Sequence, residues 1–91
     1  MIHLKDILYK VSIEKVIGDT GVAVNQLHFD SRQIQLNDVF VAIRGALSDG
    51  HQYIKQAQDQ GALAVVCEEL PEDMISGITY VQVKNTKEAL A

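Results

Sequence analysis

Apolar residues recur along this chain with two different periods, and the switches between them mark out its elements. In residues 3–11, Leu4, Ile7, Leu8 and Val11 stand at i, i+3, i+4 and i+7, the spacing of one helical face. A short amphipathic helix is expected there, with Lys5, Asp6 and Lys10 in water and His3 near the terminus. Gly18-Asp19-Thr20-Gly21 reads as a turn, because glycine supplies positive φ while Asp and Thr side chains bond nearby backbone groups. In the strand that follows, residues 22–29, Val22 and Val24 share one face but Leu27 and Phe29 take the other. Strand side chains alternate with period two, so this one-residue shift predicts a bulge or bend at Asn25-Gln26.

The strand delivers Asp30-Ser31-Arg32 at its carboxyl end, and residues 33–38 form a loop closing with Asn37-Asp38. Residues 39–43, Val-Phe-Val-Ala-Ile, are continuously apolar and rich in β-branched side chains, which predicts a strand covered on both faces. A loop over 44–50 carries glycine at positions 45 and 50. A helix over 51–60 then turns Tyr53, Ile54 and Ala57 inward and ends on Gly61 as its C-terminal cap. A second buried strand, 62–67, stops at Glu68-Glu69-Leu70-Pro71. Residues 78–83 alternate, with Ile78, Tyr80 and Gln82 on one face and Thr79, Val81 and Val83 on the other. Asn85 suits the N-cap of a helix opening at Thr86. Strand 39–43, helix 51–60 and strand 63–67 have the order and length of a right-handed βαβ crossover. The expected fold is therefore α/β, a small mixed and partly parallel sheet flanked by short helices, in one domain over residues 1–91.

Composition narrows the function. The 91 residues are 47% hydrophobic and 22% charged, the profile of an ordinary globular domain. A net charge of −4 with scattered basic residues argues against a general nucleic-acid binder, which needs clustered Lys and Arg. An anionic ligand held by a few directed donors stays open. Cys67 is the single cysteine, so no internal disulfide can form; it reads as a small buried hydrophobe in a reducing compartment. Neither a signal peptide nor a membrane-spanning run is expected, and the chain is placed in the cytoplasm. The helix opening at Thr86 has six residues before the sequence stops. That is marginal alone, and the chain reads as a fragment of a longer protein.

Asp30-Ser31-Arg32 offers an acceptor, a hydroxyl and a guanidinium at a strand's carboxyl end, where ligands of open α/β sheets collect. The same residues also read as local structure, with Asp30 capping backbone N–H groups and Arg32 paired to it. The Gly45 to Gly50 loop could bring backbone N–H groups to a phosphate, yet it lacks the Gly-Lys-Ser/Thr ending of a Walker A loop. Asp49-Gly50 is equally a tight turn, with the Asp49 carboxylate near the N-terminus of the next helix. His51 has no Ser, Cys or second His at a catalytic spacing and reads as a first-turn residue. Three dispersed histidines and one cysteine supply no metal-ligand spacing.

Taken in order, Phe-Asp-Ser-Arg at 29–32, Asn-Asp-Val-Phe-Val-Ala-Ile at 37–43, Gly45-x-x-x-Asp49-Gly50-His51-x-Tyr53-Ile54-x-x-Ala57 and Gly61-Ala62-x-Ala64-Val65-Val66 resemble the N-terminal domain of a Mur ligase. Motifs carry the resemblance from Leu27 to Val66, and the ending Val83-x-Asn85-Thr86-Lys87-Glu88-Ala89-Leu90-Ala91 extends it. Asp-Ser-Arg and the ending look most like the members that add the third residue of the peptidoglycan stem peptide. Members acting one step later, which add D-alanyl-D-alanine, usually read Asp-Thr-Arg and are the close alternative. A free-standing interaction module without a small-molecule site is the alternative from a different class.

The resemblance implies a parent enzyme that uses ATP and magnesium to activate the D-glutamyl carboxylate of UDP-N-acetylmuramoyl-L-alanyl-D-glutamate for attack by a diamino acid. In such enzymes the N-terminal domain holds the UDP end. By position, Ser31 and Phe29 belong to the UDP site, as do Ala46, Leu47 and Ser48, with Asp30, Arg32, Asp49 and Gly50 in support. Two departures stand out. The loop reads Ala46-Leu47-Ser48 where some members carry polar residues, so a backbone contact would survive there and a side-chain contact would not. Asn37 replaces the usual glycine before Asp38, a mild change because Asn tolerates positive φ. The resemblance also places the ATP loop, the magnesium ligands and the ATP-binding central domain, the partner of this one, beyond residue 91. No cofactor and no catalytic residue is expected within the 91 residues, and the fragment alone is expected to be inactive.

Overall fold

The computed structural model describes residues 2–44 and 49–86. Its elements run β1 (Ile2–His3), α1 (Leu4–Ile7), β2 (Ile13–Ile17), β3 (Ala23–Val24), β4 (Leu27–His28), β5 (Val39–Val41), α2 (Ile54–Asp59), β6 (Ala64–Cys67) and β7 (Thr79–Val83), with 3-10 turns at Ser31–Gln33 and Gly50–Tyr53. Strands β4, β5, β6 and β7 are parallel neighbours in a five-stranded sheet of order β2-β7-β6-β5-β4, and β2 joins its edge antiparallel to β7. A separate antiparallel pair joins β1 to β3. The mixed, partly parallel sheet with short helices is the expected architecture.

Every residue of β5 and β6 is buried, because the sheet is covered on both faces. Phe40, Val65 and Tyr80 stand in register across β5, β6 and β7 and pack with Ala42 and Cys67 against Ile54 and Ala57 of α2. Val41, Val66 and Val81 form the next row; with Val39, Ala64 and Val83 they meet Leu4, Leu8 and Val24 on the opposite face. Cys67 is fully buried, and desolvation pushes its thiol up to about 12, so it behaves as the small hydrophobe expected. No helix among the described residues is long and apolar enough to cross a membrane.

Four differences from the hydrophobic pattern have physical causes. The helix over 3–11 shrinks to Leu4–Ile7, although its apolar face packs as expected; its first N–H groups are satisfied from outside, Leu4 N by Val22 O and Lys5 N by Thr20 O. The strand over 22–29 breaks at Asn25-Gln26, where the chain passes from the small sheet to the large one, so the predicted bend is a change of sheet. Strand β2 is not foreshadowed by any alternation, because its register shifts between Ile13 and Lys15 and it lies exposed at the edge. Tyr53, expected inward, is instead 40% exposed.

The end of α2 follows the sequence closely. Gly61 adopts φ +109, its N–H bonds Gln58 O at 3.2 Å and Ala62 N bonds Ala57 O at 3.0 Å, the paired bonds of a Schellman cap. The helix expected beyond Asn85 lies almost wholly outside the described residues. Thr86 is buried, with its N–H and Oγ1 both donating to Glu68 Oε2 at 3.1 Å.

Candidate functional site

Strand β4 ends at His28, and Asp30 immediately caps the 3-10 turn Ser31–Gln33: its Oδ1 accepts from Arg32 N at 2.9 Å. The Arg32 guanidinium closes on the same carboxylate, with Nη2 donating to Oδ2 at 2.8 Å. The Arg32 side-chain hydrogen bond is the main reason the Asp30 carboxyl falls to about 2. Because the Arg32 side chain is 81% exposed, the pair shapes the turn rather than adding much stability. This is the local-structure arrangement that the sequence left open.

Ser31 faces the other way. It is 5% exposed, and its Oγ donates to Gln56 Oε1 at 3.2 Å. Gln60, one turn further along α2, donates through Nε2 to the carbonyls of Ser31 and Ile34. Two glutamines four residues apart thus hold the turn against the helix, since positions i and i+4 lie on one face. Beneath them, the buried Asp38 carboxylate accepts from Gln26 N at 3.1 Å and Gln35 N at 2.9 Å, with His28 Nε2 at 3.4 Å. Asn37, at φ +69, makes the left-handed step that the sequence anticipated.

On the opposite wall stands Asp49, which forms an isolated antiparallel bridge with Arg44. Asp49 caps the second 3-10 turn, accepting from His51 N at 2.9 Å and meeting His51 Nδ1 at 2.7 Å. These contacts, the backbone one foremost, hold its carboxyl below the usual range. His51 Nε2 accepts from Glu68 N and Glu69 N at 2.9 and 3.1 Å, so the ring proton sits on Nδ1, facing Asp49. His51 is therefore a bridge between two loops as well as a first-turn residue. Arg44 spans Asp49 and Glu69, both at 3.2 Å, and the Glu69 hydrogen bond foremost raises its pKa. Gly50 is required by space: a Cβ there would lie 2.8 Å from Ile43 N and 3.0 Å from Ile43 O.

Between these walls, at the carboxyl ends of β4 and β5, lies an open cleft of about 650 Å³. It gathers Phe29, Asp30, Ser31, Arg32 and Gly50 from the expected residues and adds Ile43, Tyr53 and Gln56. Asp49, the neighbour of Gly50 in sequence, is not among the lining residues. Ala46, Leu47 and Ser48 lie outside the described residues. Gln56 carried a faint signal in the sequence, its four-residue spacing from Gln60 on the helix; Ile43 carried none, being one more apolar residue of its run. The cleft offers a buried hydroxyl, an amide, a guanidinium at the mouth and two exposed aromatic rings, a set suited to binding rather than to bond cleavage.

A model of the Mur ligase family, catalytic domain, matches residues 23–91. The UDP-N-acetylmuramoyl-L-alanyl-D-glutamate--2,6-diaminopimelate ligase of Cytophaga hutchinsonii is 47% identical over 89 residues, covering 97% of this chain and 18% of the relative. The ligase of the same name from Bacteroides thetaiotaomicron is 38% identical over 87 residues, with 96% and 18% covered. This chain thus spans less than a fifth of the length of these relatives. Among solved structures, the UDP-N-acetylmuramoylalanyl-D-glutamyl-2,6-diaminopimelate--D-alanyl-D-alanyl ligase of Acinetobacter baumannii superposes with a TM-score of 0.65 at 24% identity, covering 72% of this chain and 14% of that one, and shows the fold. The MurF ligase of Thermotoga maritima in complex with ADP gives a TM-score of 0.60 at 26% identity, with 71% and 14% covered. By motif order, by architecture and by a family model matched over most of its length, the chain belongs to the Mur ligase family.

Proposed function

We propose that this chain is the domain that holds the UDP end of UDP-N-acetylmuramoyl-L-alanyl-D-glutamate in an ATP-dependent ligase adding 2,6-diaminopimelate to the peptidoglycan stem peptide in the cytoplasm. The observation that carries the reading is the buried Ser31 hydroxyl, presented into a cleft at the carboxyl ends of parallel strands, where α/β sheets receive ligands. Phe29, Tyr53 and Arg32 at the same cleft suit a flat base and an anionic tail. Affinity for a remote handle serves catalysis by orienting the distant reacting carboxylate. The relatives named above favour the diaminopimelate-adding activity over the D-alanyl-D-alanine-adding one, which the structural neighbours keep as the second reading.

ATP and magnesium belong to the parent enzyme in this reading. The residues here do not fit either: the 45–50 loop has no lysine followed by Ser or Thr, and the described residues hold no group of three or more His, Cys, Asp or Glu placed for a metal ion. The test is a titration of the 15N-labelled chain with UDP. At millimolar ligand the amides of Ser31, Arg32 and Gly50 should move together, and Ser31→Ala should weaken binding roughly tenfold, the loss of about one good hydrogen bond. Unmoved amides at all three positions would sink the proposal.

A further inference from the structure

Glu68, the residue that follows β6, has each of its polar groups engaged, by His51, Gln82, Arg44 and Thr86. Its N–H donates to His51 Nε2 at 2.9 Å, and its carbonyl accepts from Gln82 Nε2 at 3.0 Å. Its carboxylate faces Arg44 Nη1 at 3.9 Å through Oε1. On Oε2 it accepts both donors of Thr86, the N–H and the hydroxyl, each at 3.1 Å. Thr86 is wholly buried and lies beyond the end of β7 at Val83. Among the described residues the two apolar clusters are completed without either side chain, so this contact fixes the course of the chain rather than filling the core. A carboxylate that accepts from two donors of one residue holds it at two points, which sets orientation as well as position.

Resting on the ligase reading above, in which the ATP-binding domain follows this one in the chain, we infer that Glu68 is a positioning residue for the ligation. By pinning Thr86 it sets the direction in which the chain leaves this domain, and so where the far carboxylate of a substrate held here by its UDP end meets the domain that activates it. A substrate anchored on one domain and reacting in another is delivered by the joint between them. An angular error at the joint grows with distance, and a misplacement of about 1 Å at the reacting atoms costs on the order of a hundredfold in rate. The same cluster reaches back to the cleft. Arg44 spans Glu68, Glu69 and Asp49, and Gly50, next in sequence to Asp49, lines the cleft. His51 meets Asp49 through Nδ1 and the Glu68 N–H through Nε2. Handle and exit thus share one polar cluster, and Glu68 is the member that holds the exit.

The experiment compares Glu68→Ala and Glu68→Gln in the full-length ligase and in the 91-residue chain. In the full-length enzyme Glu68→Ala should lower kcat about tenfold or more while KM for the UDP-linked substrate changes by less than about threefold, because the handle is intact and its delivery is lost. Glu68→Gln keeps an acceptor oxygen for Thr86 and should recover most of that kcat. Val66→Ala, a core variant in the cluster on the α1 face, should keep a wild-type kcat below its unfolding temperature, which separates lost positioning from lost stability. In the 15N-labelled 91-residue chain both Glu68 variants should bind UDP within about threefold of wild type, with the Thr86 amide displaced in Glu68→Ala. A wild-type kcat in Glu68→Ala, an equal loss in Val66→Ala, or no recovery in Glu68→Gln would overturn the inference. Loss of UDP binding in Glu68→Ala would overturn it too, by making Glu68 a support of the cleft. Failure of the wild-type chain to bind UDP would instead remove the underlying reading.

Discussion

Asp30, Ser31 and Arg32 are adjacent in sequence and differ completely in what they face. A 3-10 turn advances three residues per revolution, so three consecutive side chains spread around it: Asp30 and Arg32 close on each other in solvent while Ser31 points inward. Charge and motif could identify the triplet but not which member enters the cleft, because that depends on the pitch of the turn. Tyr53 went astray for the same reason. Helical spacing at 3.6 residues per turn places it beside Ile54 and Ala57, but it ends a 3-10 turn and its side chain swings out to the cleft. The Asp30 and Arg32 contact predicts a titration. The folded carboxyl sits near 2 against 3.8 without partners, so its charged form favours the folded chain. That contribution is whole above 3.8 and is lost as pH falls toward 2. Side-chain 13C shifts should place the Asp30 midpoint near 2, and Arg32→Ala should return it toward 3.8; a midpoint unmoved by that substitution would show the pair to be incidental.

Among the elements, β5, α2 and β6 were legible because the two strands are unbroken apolar runs and the stretch between them has its own end chemistry: Asp49 caps the 3-10 turn that leads into the helix, and Gly61 caps its exit. Strand β2 was not, since a register shift within five residues destroys alternation and an exposed edge needs no continuous apolar face. The approach of β5 to the second 3-10 turn is set by Gly50, whose N–H donates to Ile43 O at 2.8 Å. A methyl group there meets backbone atoms of Ile43 and Ala42 at 2.8 to 3.1 Å, and backbone cannot rotate aside as a side chain does. Gly50→Ala should therefore cost about 1–3 kcal/mol, the usual toll of overpacking, in urea unfolding followed by circular dichroism. It should also displace the amides of Ile43 and Asp49. An unchanged midpoint would mean that the backbone of Ala42 and Ile43 yields freely.

For the molecule as a whole, the order of elements, their pairing in parallel and the family were readable, whereas the places of Ile43, Tyr53 and Gln56 in the cleft's walls were not, since those walls join residues from three separated stretches. A chain of this length has about 5–14 kcal/mol of stability to draw on at 0.05–0.15 kcal/mol per residue. That reserve is divided between two apolar clusters on opposite faces of one sheet. Val65 and Val66 are chain neighbours, yet Val65 packs with Phe40 and Tyr80 while Val66 packs with Val41 and Val81. Proximity in sequence and proximity in energy are thereby decoupled. Val65→Ala and Val66→Ala should add to within about 0.5 kcal/mol, whereas Val65→Ala with Phe40→Leu should depart from additivity by about 0.5 kcal/mol or more. Double-mutant cycles in urea measure both, and strong coupling between the adjacent valines would refute the division. The sheet then acts as a thermodynamic partition: sequence drift on the α1 face can proceed without being felt on the α2 face, the side whose helix carries Gln56 and Gln60.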